Sequence, residues 1–195
     1  MPLRKTFLSE KKTHEAIFKT QTDNTGMTME IKLKASDGDF GRFMGYFTCH
    51  AVWSIETGDI LCPFIARQQG KERNLKRHEG ENKESVEVLK TELAQAMQDS
   101  TYAVIAYDGY VTIGKDRLDA LLLEGKARLN TKISDIVIAI PYRSAKSKKS
   151  FAVFKPKLLK FDFQDIENIM TEFWEGVYEH KKGAAVWDKY LDESL

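Results

Sequence analysis

Two cysteines, Cys49 and Cys62, are too few for a disulfide framework, so the fold must rest on burial rather than on cross-links. No apolar run approaches the roughly 18 residues that a membrane span requires; the longest, such as residues 136–141, are far shorter. The opening Met1-Pro2-Leu3-Arg4-Lys5 carries charge but no apolar core of signal-peptide length behind it. These absences predict a soluble, cytoplasmic protein with no membrane partner. A Gly-x-Ser-x-Gly elbow is missing, and Gly38-Asp39-Phe40-Gly41 lacks the lysine and the strand–loop–helix setting of a phosphate cradle. The four histidines, His14, His50, His78 and His180, are dispersed without a His-x-x-x-His spacing. No metal and no cofactor are therefore expected.

What remains is ordinary globular material. At 195 residues the chain is long enough to bury about 70% of its unfolded surface, and the sequence predicts one domain over 1–195. Apolar residues make up 42% and charged residues 30%, which excludes a disordered composition. The net charge of +1 hides an asymmetry: residues 1–160 hold 27 basic and 20 acidic side chains, whereas residues 161–195 hold 3 basic and 9 acidic ones.

Along the chain, residues 9–18 suggest a short capped helix. Residues 28–34 alternate as a half-buried strand, with Met29, Ile31 and Leu33 on one side. Ser36-Asp37-Gly38-Asp39 reads as a turn. Residues 43–53, aromatic, β-branched and interrupted by Gly45, read as a strand covered on both faces, a buried helix being the alternative. Thr57-Gly58 would turn it into a second strand over 60–66, placed at a sheet edge by Pro63. Residues 67–83 are almost wholly polar and read as a long loop, the best candidate for an internal domain boundary.

Beyond this, Val86, Leu89, Leu93, Ala96 and Met97 recur at helical spacing behind Asn82. Residues 102–107 and 110–113 read as strands joined by a hairpin turn at Asp108-Gly109. Asp116 is expected to cap a helix carrying Leu118, Leu121 and Leu122, with strands following at 136–140 and 151–154. Asp162 then caps the longest helix, 163–180, whose apolar arc of Ile166, Ile169, Met170, Phe173, Trp174, Val177 and Tyr178 predicts a central core helix covered on two sides. A short helix over 184–191 closes the chain. The pattern predicts an α+β fold, an antiparallel sheet with helices packed mainly on one face.

Three constellations suggest chemistry. Glu30-Ile31-Lys32 places a carboxylate and an amine on one strand face, a spacing that metal-dependent phosphodiester hydrolases of the nuclease kind use; Asp23 is the nearest second acid. A solvated strand face explains the same residues, and Glu30 is expected to be non-catalytic. Cys49 and His50 would point to opposite faces of a strand, and on the proposed hairpin Cys49 and Cys62 lie roughly 13 Å apart, so both are expected as free thiols. His180, closing the long helix, is accounted for by the favourable dipole there.

The most distinctive run is 143–160, with seven basic residues and no acid: Arg143, Lys146, Lys148, Lys149, Lys155, Lys157 and Lys160. It suits a phosphate backbone or another anionic surface. It also suits, and more simply, a solvated loop and lysine-protected edge strand. A third partner is an acidic stripe of Asp165, Glu172, Glu175 and Glu179 on the long helix, met within one chain or across a homodimer. The reading carried forward is a non-catalytic binding or regulatory module, a homo-oligomer that meets an anionic partner or nucleic acid through Arg143, Lys146, Lys148, Lys149 and Lys155. The alternative is a metal-dependent hydrolase built on Glu30 and Lys32.

Overall fold

Ser36 starts the first helix rather than a turn. Its hydroxyl accepts the Asp39 N–H at 3.1 Å, satisfying one of the amides that a helix start leaves unpaired, and Asp37 and Asp39 sit in the first turn where the dipole favours them. A computed structural model of the chain describes residues 36–79 and 82–195. In chain order they form α1 (Asp37–Ser54), β1 (Phe64–Gln69), β2 (Glu72–Arg77), α2 (Asn82–Ala96), β3 (Tyr102–Ile113), β4 (Asp116–Leu129), β5 (Lys132–Arg143), β6 (Ala152–Phe154), β7 (Lys157–Phe161), α3 (Ile166–Glu179), α4 (Lys181–Tyr190) and β8 (Leu191–Asp192). This is an α+β arrangement. The proposed helix at 9–18, the strand at 28–34, and Asp23, Glu30, Lys32 and His14 lie outside the described residues.

The strands run β2-β1-β3-β4-β5-β6-β8, with β7 also paired to β5. Every pairing is antiparallel except β6–β8, so the sheet is mixed. Both faces carry helices. Phe64, Ala66, Tyr102, Val104, Ala106, Leu121, Leu123, Ile136 and Ile138 form one core with α1, α3 and α4. The opposite side chains, Ile65, Ala103, Ile105 and Tyr107, form a second core with Leu89, Leu93 and Ala96 of α2 and with Met97 just beyond it. Each fully buried large side chain in these cores contributes about 1.5–3 kcal/mol.

The stretch expected to be a strand, 43–53, is the body of α1. Its Phe40, Phe43, Met44, Phe47, Cys49, Ala51 and Val52 are buried. The glycines that argue against a helix are what allow this one to pack. A Cβ on Gly45 would lie 2.7 Å from the Phe173 carbonyl carbon, and one on Gly176 would lie 2.7 Å from that of Arg42. Gly41 meets the Ile169 backbone in the same way, at 3.0 Å. The α1 and α3 backbones therefore touch, through glycines four residues apart on one helix and one on the other. On the sheet side Gly125 of β4 leaves room for α1, since a Cβ there would meet Phe40 Cζ at 2.9 Å.

Further expectations are revised. β1 begins at Phe64 and lies between β2 and β3, so the Pro63 strand is no sheet edge. The polar stretch 67–83 is no loop: it holds the end of β1, all of β2 and the start of α2, and Gly70 (φ +57°) turns the hairpin. Asp108-Gly109 is not a turn, because β3 runs through it; the chain reverses at Gly114 (φ +64°). Asp116 begins β4 rather than a helix. Asp165, not Asp162, caps α3, accepting the Asn168 N–H at 3.0 Å, while Asp162 accepts the Asp135 N–H at 2.6 Å. α3 is shorter than α1, and its apolar arc is narrower than expected, since Tyr178 is 46% exposed. The terminal helix, α4, starts at Lys181 and ends at Tyr190. The helix behind Asn82 and the strands at 102–107, 110–113 and 136–140 stand as expected, and the 151–154 strand appears as β6.

Candidate functional site

The basic segment leaves β5, crosses a loop and returns as β6 and β7. The loop braces itself: Arg143 Nε donates to the Ser150 carbonyl at 2.9 Å, the Ser147 hydroxyl to the Lys149 carbonyl at 2.6 Å, and Ser144 Oγ accepts the Lys146 N–H at 3.2 Å. Lys146, Lys148 and Lys149 stand exposed on it. The remaining basic residues largely turn back onto the chain. Arg143 reaches Asp192 at 3.7 Å, Lys155 reaches Glu193 at 3.2 Å and Lys160 reaches Asp135 at 3.5 Å. Arg143 and Lys149 together help hold the Asp192 carboxyl below its usual range, behind its hydrogen bonds with Ser194.

Two of the four acids of the α3 stripe are engaged by cations outside the basic segment. Glu172 pairs with Arg42 at 2.5 Å, and Glu179 with Arg42 at 3.5 Å and Arg73 at 3.4 Å. Among the described residues the ion-pair partners of the basic segment are Asp192 and Glu193 near the end of the sequence and Asp135 of β5.

On the α2 face, an open cleft of about 430 Å³ is lined by Arg67, Asn74, Lys76, Glu92, Asp99 and Ser100 among others. Glu92 is fully engaged, with Lys76 at 2.7 Å and His78 at 3.3 Å. Burial opposes its ionisation, but the Lys76 hydrogen bond and the His78 charge outweigh that and hold its carboxyl below the ordinary range. On the opposite face Tyr142 donates its hydroxyl to Asp108 at 2.9 and 3.0 Å; burial, then the Asp108 charge, push the phenol well up.

A second grouping escaped the sequence reading. Because 43–53 is helical, Cys49 and His50 are not on opposite faces of a strand. Cys49 packs against the start of α4, its Sγ 4.0 Å from the His180 carbonyl, and burial pushes its thiol up to about 12. His50 turns to the α3–α4 junction, placing its Nδ1 3.2 Å from His180 Nε2. His50 Nε2 lies 2.9 Å from the Arg77 guanidinium of β2. His180 does not sit as a charge on the α3 dipole; it caps α4, with Nδ1 accepting the Gly183 N–H at 3.0 Å. Trp53, Tyr46 and Phe64 ring the two imidazoles at 5.0 to 5.9 Å between centroids. Burial, aided by the positive Arg77, lowers His50 to about 4, and burial likewise lowers His180, so both rings are neutral at pH 7.

Both cysteines are free, Cys49 buried and Cys62 half-buried. Among the described residues no three His, Cys, Asp or Glu side chains gather closely enough to hold a metal ion, and no helix is long and apolar enough to cross a membrane. No model of a known protein family, no curated protein and no solved structure matches this chain.

Proposed function

We propose that this chain is a non-catalytic binding or regulatory module that engages an anionic partner through the loop between β5 and β6. The supporting observation is the division of labour within the basic segment. Arg143, Lys155 and Lys160 pair with acids of the chain and fasten the segment down, while Lys146 and Lys148 project from a self-braced loop with no ion-pair partner among the described residues. A loop already ordered by its own serines loses little entropy when a partner fixes it.

The test is binding of a fluorescein-labelled single-stranded oligonucleotide and of labelled polyglutamate, followed by anisotropy across a salt series. The Lys146, Lys148, Lys149 triple-alanine variant should bind more weakly, and for the oligonucleotide its log–log salt slope should fall by about 2. Equal binding by variant and wild type at every salt concentration refutes the reading.

Self-association belongs to the same proposal. It is supported by β7, which among the described residues pairs with β5 alone and exposes Leu159 (50%) and Phe161 (47%). Sedimentation velocity of Leu159→Asp against wild type tests it: a dimer should dissociate in the variant, and a wild-type monomer ends that part of the proposal.

A further inference from the structure

The histidine cluster holds one more N–H than its hydrogen bonds can place. Four groups stand in a row: the Gly183 N–H, His180, His50 and the Arg77 guanidinium, with gaps of 3.0, 3.2 and 2.9 Å between them. The two end groups each contribute one N–H and can accept nothing. Each neutral imidazole contributes one more, on one ring nitrogen or the other. Four protons must then occupy three gaps, so one gap holds two donors facing each other, whichever tautomers are chosen. Protonating either ring adds a fifth.

The Gly183 gap is fixed by the backbone at the start of α4, which leaves its proton aimed at His180 Nδ1 and assigns His180 as the Nε2–H tautomer. The surplus then lies in one of the two remaining gaps. Both rings are held by helices, whereas Arg77 is an exposed side chain that can turn away, so the surplus is placed between His50 and Arg77, with His180 Nε2–H donating to His50 Nδ1 and His50 carrying its proton on Nε2. A metal ion between the rings would not cure it, since using both lone pairs there would turn N–H groups onto Gly183 and onto Arg77 together. An acceptor in the outer gap would.

We infer that the gap between Arg77 and His50 is a binding position for a small oxyanion group, a phosphate or a carboxylate, that accepts one hydrogen bond from each. The gap can open, because Arg77 is an exposed side chain on β2, the terminal strand of the sheet order, while both rings are held by helices. A bridging oxygen would separate the two donors to about 4.5 Å, within the reach of an arginine side-chain rotation. The surroundings favour negative charge. Among the described residues Arg77 has no carboxylate partner, and Lys182 holds its ammonium 5.4 Å from the centre of the Trp53 ring, which itself neighbours His50 at 5.7 Å. The nearby acid Glu179 is taken up by Arg42 and Arg73. Trp53, 36% exposed, gives the position one apolar wall. The site is separate from the lysine loop and does not rest on it.

The test is imidazole ¹⁵N spectroscopy of the full chain at pH 7, titrated in parallel with inorganic phosphate and with acetate to about 0.1 M at constant ionic strength. Both rings should appear as neutral Nε2–H tautomers. His50 Nε2 should shift saturably with at least one anion, and the tighter of the two identifies a phosphoryl or a carboxylate source. Arg77→Gln, at an exposed position that should not disturb folding, should weaken binding about 10- to 100-fold, the worth of one charge-assisted hydrogen bond. The Lys146, Lys148, Lys149 triple-alanine variant should leave it unchanged. No saturable shift with either anion means that water fills the gap and overturns the assignment. So does a His50 Nδ1–H tautomer, or equal binding by Arg77→Gln.

Discussion

Adding one methyl group to Gly45 should damage the fold, although in most helices the same change improves it. Alanine is favoured over glycine in a helix interior by about 1 kcal/mol. At Gly45 the new Cβ would stand 2.7 Å from the Phe173 carbonyl carbon and 3.0 Å from the Val177 nitrogen. Ordinary contact begins near 3.4 Å, so α1 and α3 must part by roughly half an ångström or more. Both obstacles are backbone, and no rotamer change relieves them. Parting the helices also loosens Ile169, Phe173 and Val177, all buried along that seam. Overpacking of this kind costs about 1–3 kcal/mol, and backbone against backbone belongs at the top of that range. Set against the propensity gain, the net loss is about 2 kcal/mol, a fall in Tm of about 4–8 °C for a chain of this size.

Gly176→Ala should behave alike, meeting Arg42 at 2.7 and 2.9 Å. Gly38→Ala is the internal control: its Cβ would meet only the flexible Glu172 Cγ at 3.2 Å and the Asn168 amide at 3.4 Å, so it should be neutral or stabilising by up to about 1 kcal/mol. Urea melts of the three variants decide the matter. A stabilised Gly45→Ala would refute the close approach of α1 and α3.

Phe173→Ala, at a fully buried position, should cost about 3–5 kcal/mol in the same melts; a loss under about 1 kcal/mol would place that ring at the surface. Folded stability should depend on His50 between pH 6.5 and 4. Its folded pKa of about 4 lies below the unfolded value, so the unfolded chain binds the extra proton and stability is lost as pH falls through that window. One proton is worth at most about 1.4 kcal/mol per pH unit, which solvent at this half-buried ring should reduce to about half. His50→Gln should flatten the wild-type slope, and an unchanged slope would assign it elsewhere. In native protein a thiol reagent should label Cys62 well before Cys49, whose thiol burial pushes up to about 12; equal labelling would show that α4 opens readily.

The α+β class and the strands at 102–107 and 136–140 were legible because their apolar runs are short, β-branched and bounded by polar residues. α1 was misread for a physical reason. Its glycines and aromatics carry poor helix propensity, and what overrides propensity is a partner helix 130 residues away whose own Gly176 makes room. β4 was misread because three leucines fit a helical spacing, while the strand's inward face reads Leu121, Leu123, Gly125 and Ala127. Gly125 is small because Phe40 and Met44 sit on it, and with Ala127 beyond it the alternation fades in sequence while remaining strict in space. Asp108-Gly109 resembles a turn, but Tyr142 holds the Asp108 carboxylate inside a continuing strand, and Gly109 leaves room for Leu122.

The two sites differ in legibility for the same reason. The lysine loop is contiguous, so its charge is visible without any fold. The histidine cluster draws on α1, β2 and the α3–α4 junction, and no local spacing rule reaches across such distances. β2 was the obscuring element, since its residues show no apolar run. Terminal among the described strands and flanked by helices on both faces, it needs none: alternate side chains reach the charged flanks of those helices instead. Lys76 on one face finds Glu92 of α2 at 2.7 Å, and Arg73 on the other finds Glu179 of α3 at 3.4 Å. Arg77, on the same face as Arg73, finds a neutral imidazole. Two of the three cations of this strand are thus matched by carboxylates supplied by the fold. The third faces a donor, with no acid of the described chain beside it, and an acid group from outside would give it the partner the other two already have.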